Sequence, residues 1–243
     1  MSQTIRLLPF AAADGATNMS ADEAMLESAV AGVASLRFYT WSEPTLSLGY
    51  FQRAGARDAN LARLPWVRRS TGGAAIVHHH ELTYALALPP GKEWTSREHW
   101  ICRLHHVVQR VLKACGVESH AVVCGEEREL GEVLCFLHQT AADLLIGGSK
   151  VVGSAQRKMR GALLQHGSVL LHRSEFAPAL PGISDSVGAP ELAGEELAEM
   201  LTKALAADTG WDVTPDEWIA AERERIPAIR AEKYANREWN EKR

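Results

Sequence analysis

The sequence predicts an α+β fold, with mixed and mostly antiparallel sheets flanked by helices, in one domain over residues 1–243. Three observations lead there. Short apolar segments come in hairpin-like pairs with turn residues between them. Helical periodicity is segregated along the chain and does not alternate strictly with strands, as a parallel α/β sheet would require. A chain of 243 residues that is 46% hydrophobic can also bury one sizeable core.

Taken in order, residues 5–9 read as a short strand. Asn18 and Ser20 are N-cap candidates ahead of ADEAMLESAVAG, where Met25, Leu26, Ala29 and Val30 fall at helical spacing and Gly32 supplies a stop. Residues 35–41 alternate as a strand. Glu43-Pro44 turns the chain, and TLSLGYF returns as another strand. Segments 66–69 and 74–78 flank Thr71-Gly72-Gly73, and 82–88 forms a further strand. From Arg97 to Cys115, Ile101, Leu104, Val107, Val108, Val111, Leu112 and Cys115 make one apolar stripe, which predicts a helix on a sheet, closed by Gly116. Short strands follow near 120–123, 142–146, 150–155 and 163–171. Residues 175–192, containing FAPALPGISDSVGAPEL, read as a loop or linker. Residues 193–243 read as a helical C-terminal part, with helices near 193–207 and 215–228 and a polar tail, KYANREWNEKR.

Composition excludes several classes. A net charge of −4 does not suit a nucleic-acid binder. The N-terminus MSQTIRLLPF lacks the apolar core of a secretory leader, and no run reaches the length of a membrane span, so the expected location is cytoplasmic, with no membrane partner. The four cysteines, at 102, 115, 124 and 135, contain no CxxC pair. His78-His79-His80 invites a metal, but adjacent strand residues face opposite ways and no zinc spacing accompanies them, so no metal site is expected.

Four segments carry candidate chemistry. In RRSTGGAAIVHHHELTY, Gly72-Gly73 lets backbone N–H groups approach a ligand, while Arg68 and Arg69 point to opposite faces; an ordinary hairpin turn is the alternative. In GGSKVVGSAQ, Lys150 can neutralise an anion or polarise an acyl carbonyl, though the spacing is not that of a phosphate loop. Cys135 lies fifteen positions before Lys150, and a nearby ammonium would lower a thiol pKa from about 8.5 towards neutrality. A buried small hydrophobe is its alternative role, and the one that fits Cys102 and Cys115. Arg157-Lys158-Met159-Arg160 is a basic run that could dock an acidic partner or simply be solvated.

These segments together, with NMSADEAML, FYTWSEPTLSLGYFQ and the closing KYANREWNEKR, resemble the lipoate–protein ligase A-like family over roughly residues 5–240. The resemblance implies the catalytic-domain fold shared by biotin and lipoate protein ligases. It also implies one of several chemistries. Ligases use ATP, with Mg, to make a lipoyl-adenylate. Octanoyltransferases need no cofactor: they move octanoyl from acyl carrier protein through a cysteine thioester to a lysine of a lipoyl-carrier domain, of the glycine cleavage H protein or dehydrogenase E2 type. A related amidotransferase branch moves the acyl group between carriers. A non-catalytic acyl- or carrier-binding protein is the reading from a different class.

Cys135-Phe136 ahead of the GSK…GSAQ strand, and the expectation that no large accessory domain is present, favour octanoyl transfer. The resemblance then assigns Cys135 as nucleophile and Lys150 as its cation. Substrate binding falls to Arg69, Thr71, Gly72, Gly73, His78, Gly153, Ser154, Ala155, Gln156 and His166, with His78 orienting the acyl carbonyl. Arg157, Lys158 and Arg160 would steer acidic carriers. Ala74, His79-His80 and LHQTAAD depart from the family's usual residues.

Overall fold

The computed structural model describes residues 3–56, 61–129, 134–186 and 188–243, without the side chains of Ala56, Glu129 and Cys135. In chain order the elements are β1 (Thr4–Leu7), β2 (Ala11–Ala13), α1 (Gly15–Val30), β3 (Ser35–Trp41), β4 (Thr45–Leu48), β5 (Trp66–Arg68), β6 (Ile76–His78), β7 (Glu81–Leu88), α2 (Trp100–Ala114), β8 (His120–Ala121), β9 (Arg128–Glu129), β10 (His138–Gln139), β11 (Leu144–Ile146), β12 (Ser149–Met159), β13 (Ala162–Leu170), α3 (Gly194–Thr209), β14 (Asp212–Pro215), α4 (Ala220–Ile229) and α5 (Arg237–Asn240).

The large sheet runs β14-β1-β3-β7-β13-β12-β11-β8, with β2 also on β3. Pairs β1–β14, β1–β3 and β2–β3 are parallel, and the remaining neighbours are antiparallel. This is the α+β architecture expected. A small sheet, β5-β4-β6, stands beside it, and β9 pairs with β10.

Two layers of helix cover the large sheet, which is why β7 is buried along its whole length. Leu82, Tyr84, Leu86 and Leu88 face α2 and α3, joining Leu104, Val108, Leu112, Leu197 and Leu201. Ala85 and Ala87 face α1, where small side chains admit Met25, Leu26 and Ala29. A third cluster, with Leu46, Leu48, Val77 and Phe136, packs around the small sheet.

Several expectations change. α1 is capped by Asp14, whose carboxylate accepts from Thr17 N at 2.7 Å, and neither Asn18 nor Ser20 is the cap. Asn18 lies buried inside the helix as a brace: it donates to Ala13 O and Thr40 O and accepts from Arg37 at 2.6 Å. α2 begins at Trp100, not at residue 97. Segments 66–69 and 74–78 do not form a hairpin, because β5 and β6 lie on opposite sides of β4. The Gly-Gly loop therefore crosses the end of β4, and a Cβ on Gly49 would come within 1.7 Å of Gly73 O. Residues 175–192 are more than a linker, since Ala177, Leu180, Ile183 and Leu192 are buried. The C-terminal part is not purely helical, because β14 adds a strand to β1. Nor is the tail merely polar: a π-helical turn, Arg230–Tyr234, and α5 bury Tyr234 and Asn240. No helix among the described residues is long and apolar enough to cross a membrane.

Candidate functional site

The site forms where the Gly-Gly loop, the edge of the small sheet and the middle of β12 and β13 converge on a narrow pocket with about 450 Å³ of empty space, part of it open to solvent. Met19, Tyr39, Trp41, Ile76 and Phe136 supply apolar wall. Arg69, His78, Thr83, Ser154, His166 and Ser168 supply polar groups. Of the residues singled out from sequence, Arg69, Gly73, His78, Gly153, Ser154, Ala155 and His166 line this cavity together.

The remaining candidates stand behind the wall or away from it. Thr71 Oγ1 pairs with His166 Nε2 at 2.8 Å, and His166 Nδ1 donates to Asp22 at 2.9 Å. Asp22 also accepts from Tyr39 and from Arg37, so a buried carboxylate on α1 ties β13 to the RRSTGG loop. The Gly72 and Ala74 carbonyls both accept from Arg69 Nη2, at 3.0 and 2.7 Å, while Arg69 Nη1 donates to Ser47. Arg69 thus holds the loop as well as lining the cavity. Arg68 leaves in another direction, donating to Gly49 O, Gln52 O and Asn240 O. Gln156 does not line the cavity: its amide donates to Gln165 at 2.7 Å, and it faces a separate hollow beside Leu88 and Lys158.

His78 cannot serve as a donor to an acyl carbonyl, because both of its ring nitrogens are engaged. Burial pushes its pKa down despite the neighbouring Glu81. Burial alone would raise Glu81, but His78 and hydrogen bonds from Thr83 and Ser168 outweigh it and hold the carboxyl below its ordinary value. The pair is a carboxylate beside a neutral imidazole. Nδ1 donates to Glu81 at 2.7 Å, and Nε2 accepts from Ser47 at 2.7 Å. The ring stacks on Trp41 at 3.7 Å, so His78 is a rigid wall.

Lys150 is 3% exposed, with its ammonium 2.6 Å from Asp143 Oδ2 and 3.2 Å from His138 O. The turn that places Asp143 is the divergent LHQTAAD segment, in which Thr140 donates to the same carboxylate through N and Oγ1. β12 carries a register shift opposite Leu144 and Leu145, with Val151 as the extra residue. In a regular strand, residues 150 and 153 point to opposite faces. The bulge brings them to the same side. A Cβ at Gly153 would lie 2.4 Å from Lys150 Cε and 2.9 Å from Nζ. The end of the Lys150 side chain therefore lies in the space beside Gly153, which lines the cavity; Lys150 itself is not among the lining residues, and Phe136, 5.2 Å from the ammonium, belongs to the adjoining wall.

The side chain of Cys135 lies outside the described residues, but its backbone opens the short turn Cys135–Leu137. Leu134 before it bridges to Ala75, next to the Gly-Gly loop, and Phe136 after it lines the cavity. Of the basic run, Arg157 donates to Ser70 O, whereas Lys158 and Arg160 are exposed around the β12–β13 turn. Asp22, Asp143, Glu81 and Trp41 did not stand out in sequence. An acidic residue inside ADEAML and another closing LHQTAAD were the available signals.

Comparison with known proteins agrees with this geometry. Residues 14–180 match the family described as lipoyl protein ligase A/B catalytic domain. Octanoyltransferase LipM of Kyrpidia tusciae is 34% identical, covering 98% of each chain, and the LipM of Carboxydothermus hydrogenoformans is 30% identical over the same shares. In fold, the chain is similar to lipoate-protein ligase A solved with ATP (TM-score 0.81, 20% identity, 99% of each chain). It is also similar to the bipartite lipoate protein ligase of Thermoplasma acidophilum, from a study of that enzyme and its E2 lipoyl domain (TM-score 0.76, 19% identity, 98% of this chain and 96% of that one).

Proposed function

Because the chain belongs to the lipoyl protein ligase A/B catalytic-domain family, we propose that it is a protein N-octanoyltransferase of lipoate biosynthesis, working through a thioester on Cys135. The observation that carries this reading is the Lys150 ammonium, packed directly behind Gly153 and Phe136 in the wall of a mainly apolar cavity, with Phe136 the residue next to Cys135. Full-length similarity to proteins named octanoyltransferase supports it.

In the first step the Cys135 thiolate attacks the thioester carbonyl of octanoyl-[acyl carrier protein]. The new C–S bond forms as the carrier thiolate leaves and takes up a proton. Lys150 and the backbone of the Gly72-Gly73 loop stabilise the oxyanion, and the ammonium favours the thiolate. The cavity holds the acyl chain, each buried CH₂ contributing about 0.8 kcal/mol. In the second step the ε-amine of a lysine on a lipoyl-carrier domain attacks the acyl-enzyme. The amide forms, the amine loses its proton and the Cys135 thiolate is restored. Lys158 and Arg160 steer the acidic carriers, chiefly through the on-rate. The chemistry requires no cofactor and takes place in the cytoplasm.

Intact-mass measurement after incubation with octanoyl-carrier protein tests the proposal. The wild type gains one octanoyl group and Cys135→Ala gains none. An equal adduct on the mutant, or none on the wild type, refutes the thioester route. Octanoate- or lipoate-dependent ATP/pyrophosphate exchange that survives Cys135→Ala would replace it with ligation. Preference for an acylated carrier domain as donor would replace it with amidotransfer.

A further inference from the structure

We infer that His105 is a positioning residue for the Lys150 ammonium, a two-ended clamp joining the loop that carries Asp143 to the strand segment that carries Gly153 and Ser154. His105 sits on α2 with no exposed surface and is not part of the cavity wall. Its Nδ1 is 2.6 Å from Ala142 O, a group that can only accept, so Nδ1 carries the proton. Burial pushes the ring pKa down to about 4, which keeps the imidazole neutral and leaves Nε2 as an acceptor. The group facing Nε2 is the Ser154 hydroxyl, which donates to it and accepts from Tyr84 at 2.5 Å. Tyr84 in turn accepts from Gln165. Every proton in this chain is directed towards His105.

The two ends of the clamp meet the two sides of the ammonium. Ala142 has φ of 75°, a left-handed conformation uncommon for a residue with a Cβ. Its N–H is held by Val122 O and its carbonyl by His105. The next residue is Asp143, whose carboxylate is 2.6 Å from Lys150. At the other end, Ser154 follows Gly153, beside which the end of the Lys150 side chain lies. A histidine that merely filled the core would need one partner. This one spans both segments between which Lys150 is fixed. The inference rests on Lys150 being a site residue of the proposed transferase.

The test compares His105→Asn with His105→Gln. Asn places an amide donor where Nδ1 stands, whereas Gln places its amide near Nε2 and gives up the Ala142 contact. The expected result for Gln is a kcat of octanoyl transfer lower by about 10–100-fold with KM nearly unchanged. Asn keeps the Ala142 contact and loses the Ser154 one, so its kcat falls less than in Gln, by no more than about 10-fold. A second readout does not require activity: acetic anhydride labelling of Lys150, followed by mass spectrometry, with the partly buried Lys233 as internal control. Lys150 labels faster than in the wild type in both variants, and faster in Gln than in Asn, while Lys233 is unchanged in both. Equal behaviour of the two variants, or faster labelling of both lysines alike, overturns the inference. If the wild type transfers no octanoyl group, the function proposed above fails, and the labelling comparison still decides the clamp.

Discussion

At the scale of single residues, the site depends on one absent side chain. Gly153 leaves the space in which Lys150 lies, and the atoms a Cβ would meet first are the side-chain end of that lysine, not backbone. Gly153→Ala is therefore expected to keep a cooperative melting transition while displacing the ammonium, with kcat for octanoyl transfer falling by about 100-fold. Steady-state kinetics beside a thermal melt check this, and an unchanged kcat would show that Lys150 has no part in the reaction. Sequence reasoning reached Lys150, Thr71 and His166 through motifs. It did not reach Asp143 or Asp22, whose importance comes from partners far along the chain. His105 left one faint trace, a histidine within the stripe Leu104–Val108–Leu112, where only apolar residues were expected.

Among elements, the antiparallel core was legible because period-two alternation and turn residues are local signals. β2 and β14 were not, because both join the sheet by parallel pairing with distant strands. The bulge in β12 was equally invisible. It is a property of register against β11, not of any residue in GSKVVG. The tail was misread for a related reason: its polar residues are buried against partners elsewhere. Asn240 accepts from Arg68 N–H at 2.8 Å and donates to Tyr234 O at 2.9 Å. Asn240→Ala would leave both backbone groups without those bonds, at a cost of about 2–4 kcal/mol. A urea midpoint unchanged from the wild type would contradict that assignment.

For the whole molecule, the price of neutral histidines in the core appears as acid sensitivity. His105 is held at about 4 in the folded chain, against about 6.5 unfolded. Between those values the unfolded state binds the extra proton, so the contribution is fully present above pH 6.5 and is lost as pH falls towards 4. From pH 7 to pH 5 this amounts to about 2 kcal/mol, and the downward-shifted His78 adds to it with the same sign. Urea unfolding at the two pH values should show a drop in the wild type that is smaller in His105→Asn by about that amount. An equal drop in both would mean that His105 ionises normally. The clasp between Arg68 and Asn240 also has a temporal consequence, since its partners stand 172 residues apart. At about 5–20 residues per second, a ribosome needs roughly 9–34 s to pass from one to the other. Throughout that interval the segment leading into the Gly-Gly loop has been made but its fastening has not, although the central strands β3, β7, β12 and β13 are all available to pair before it arrives.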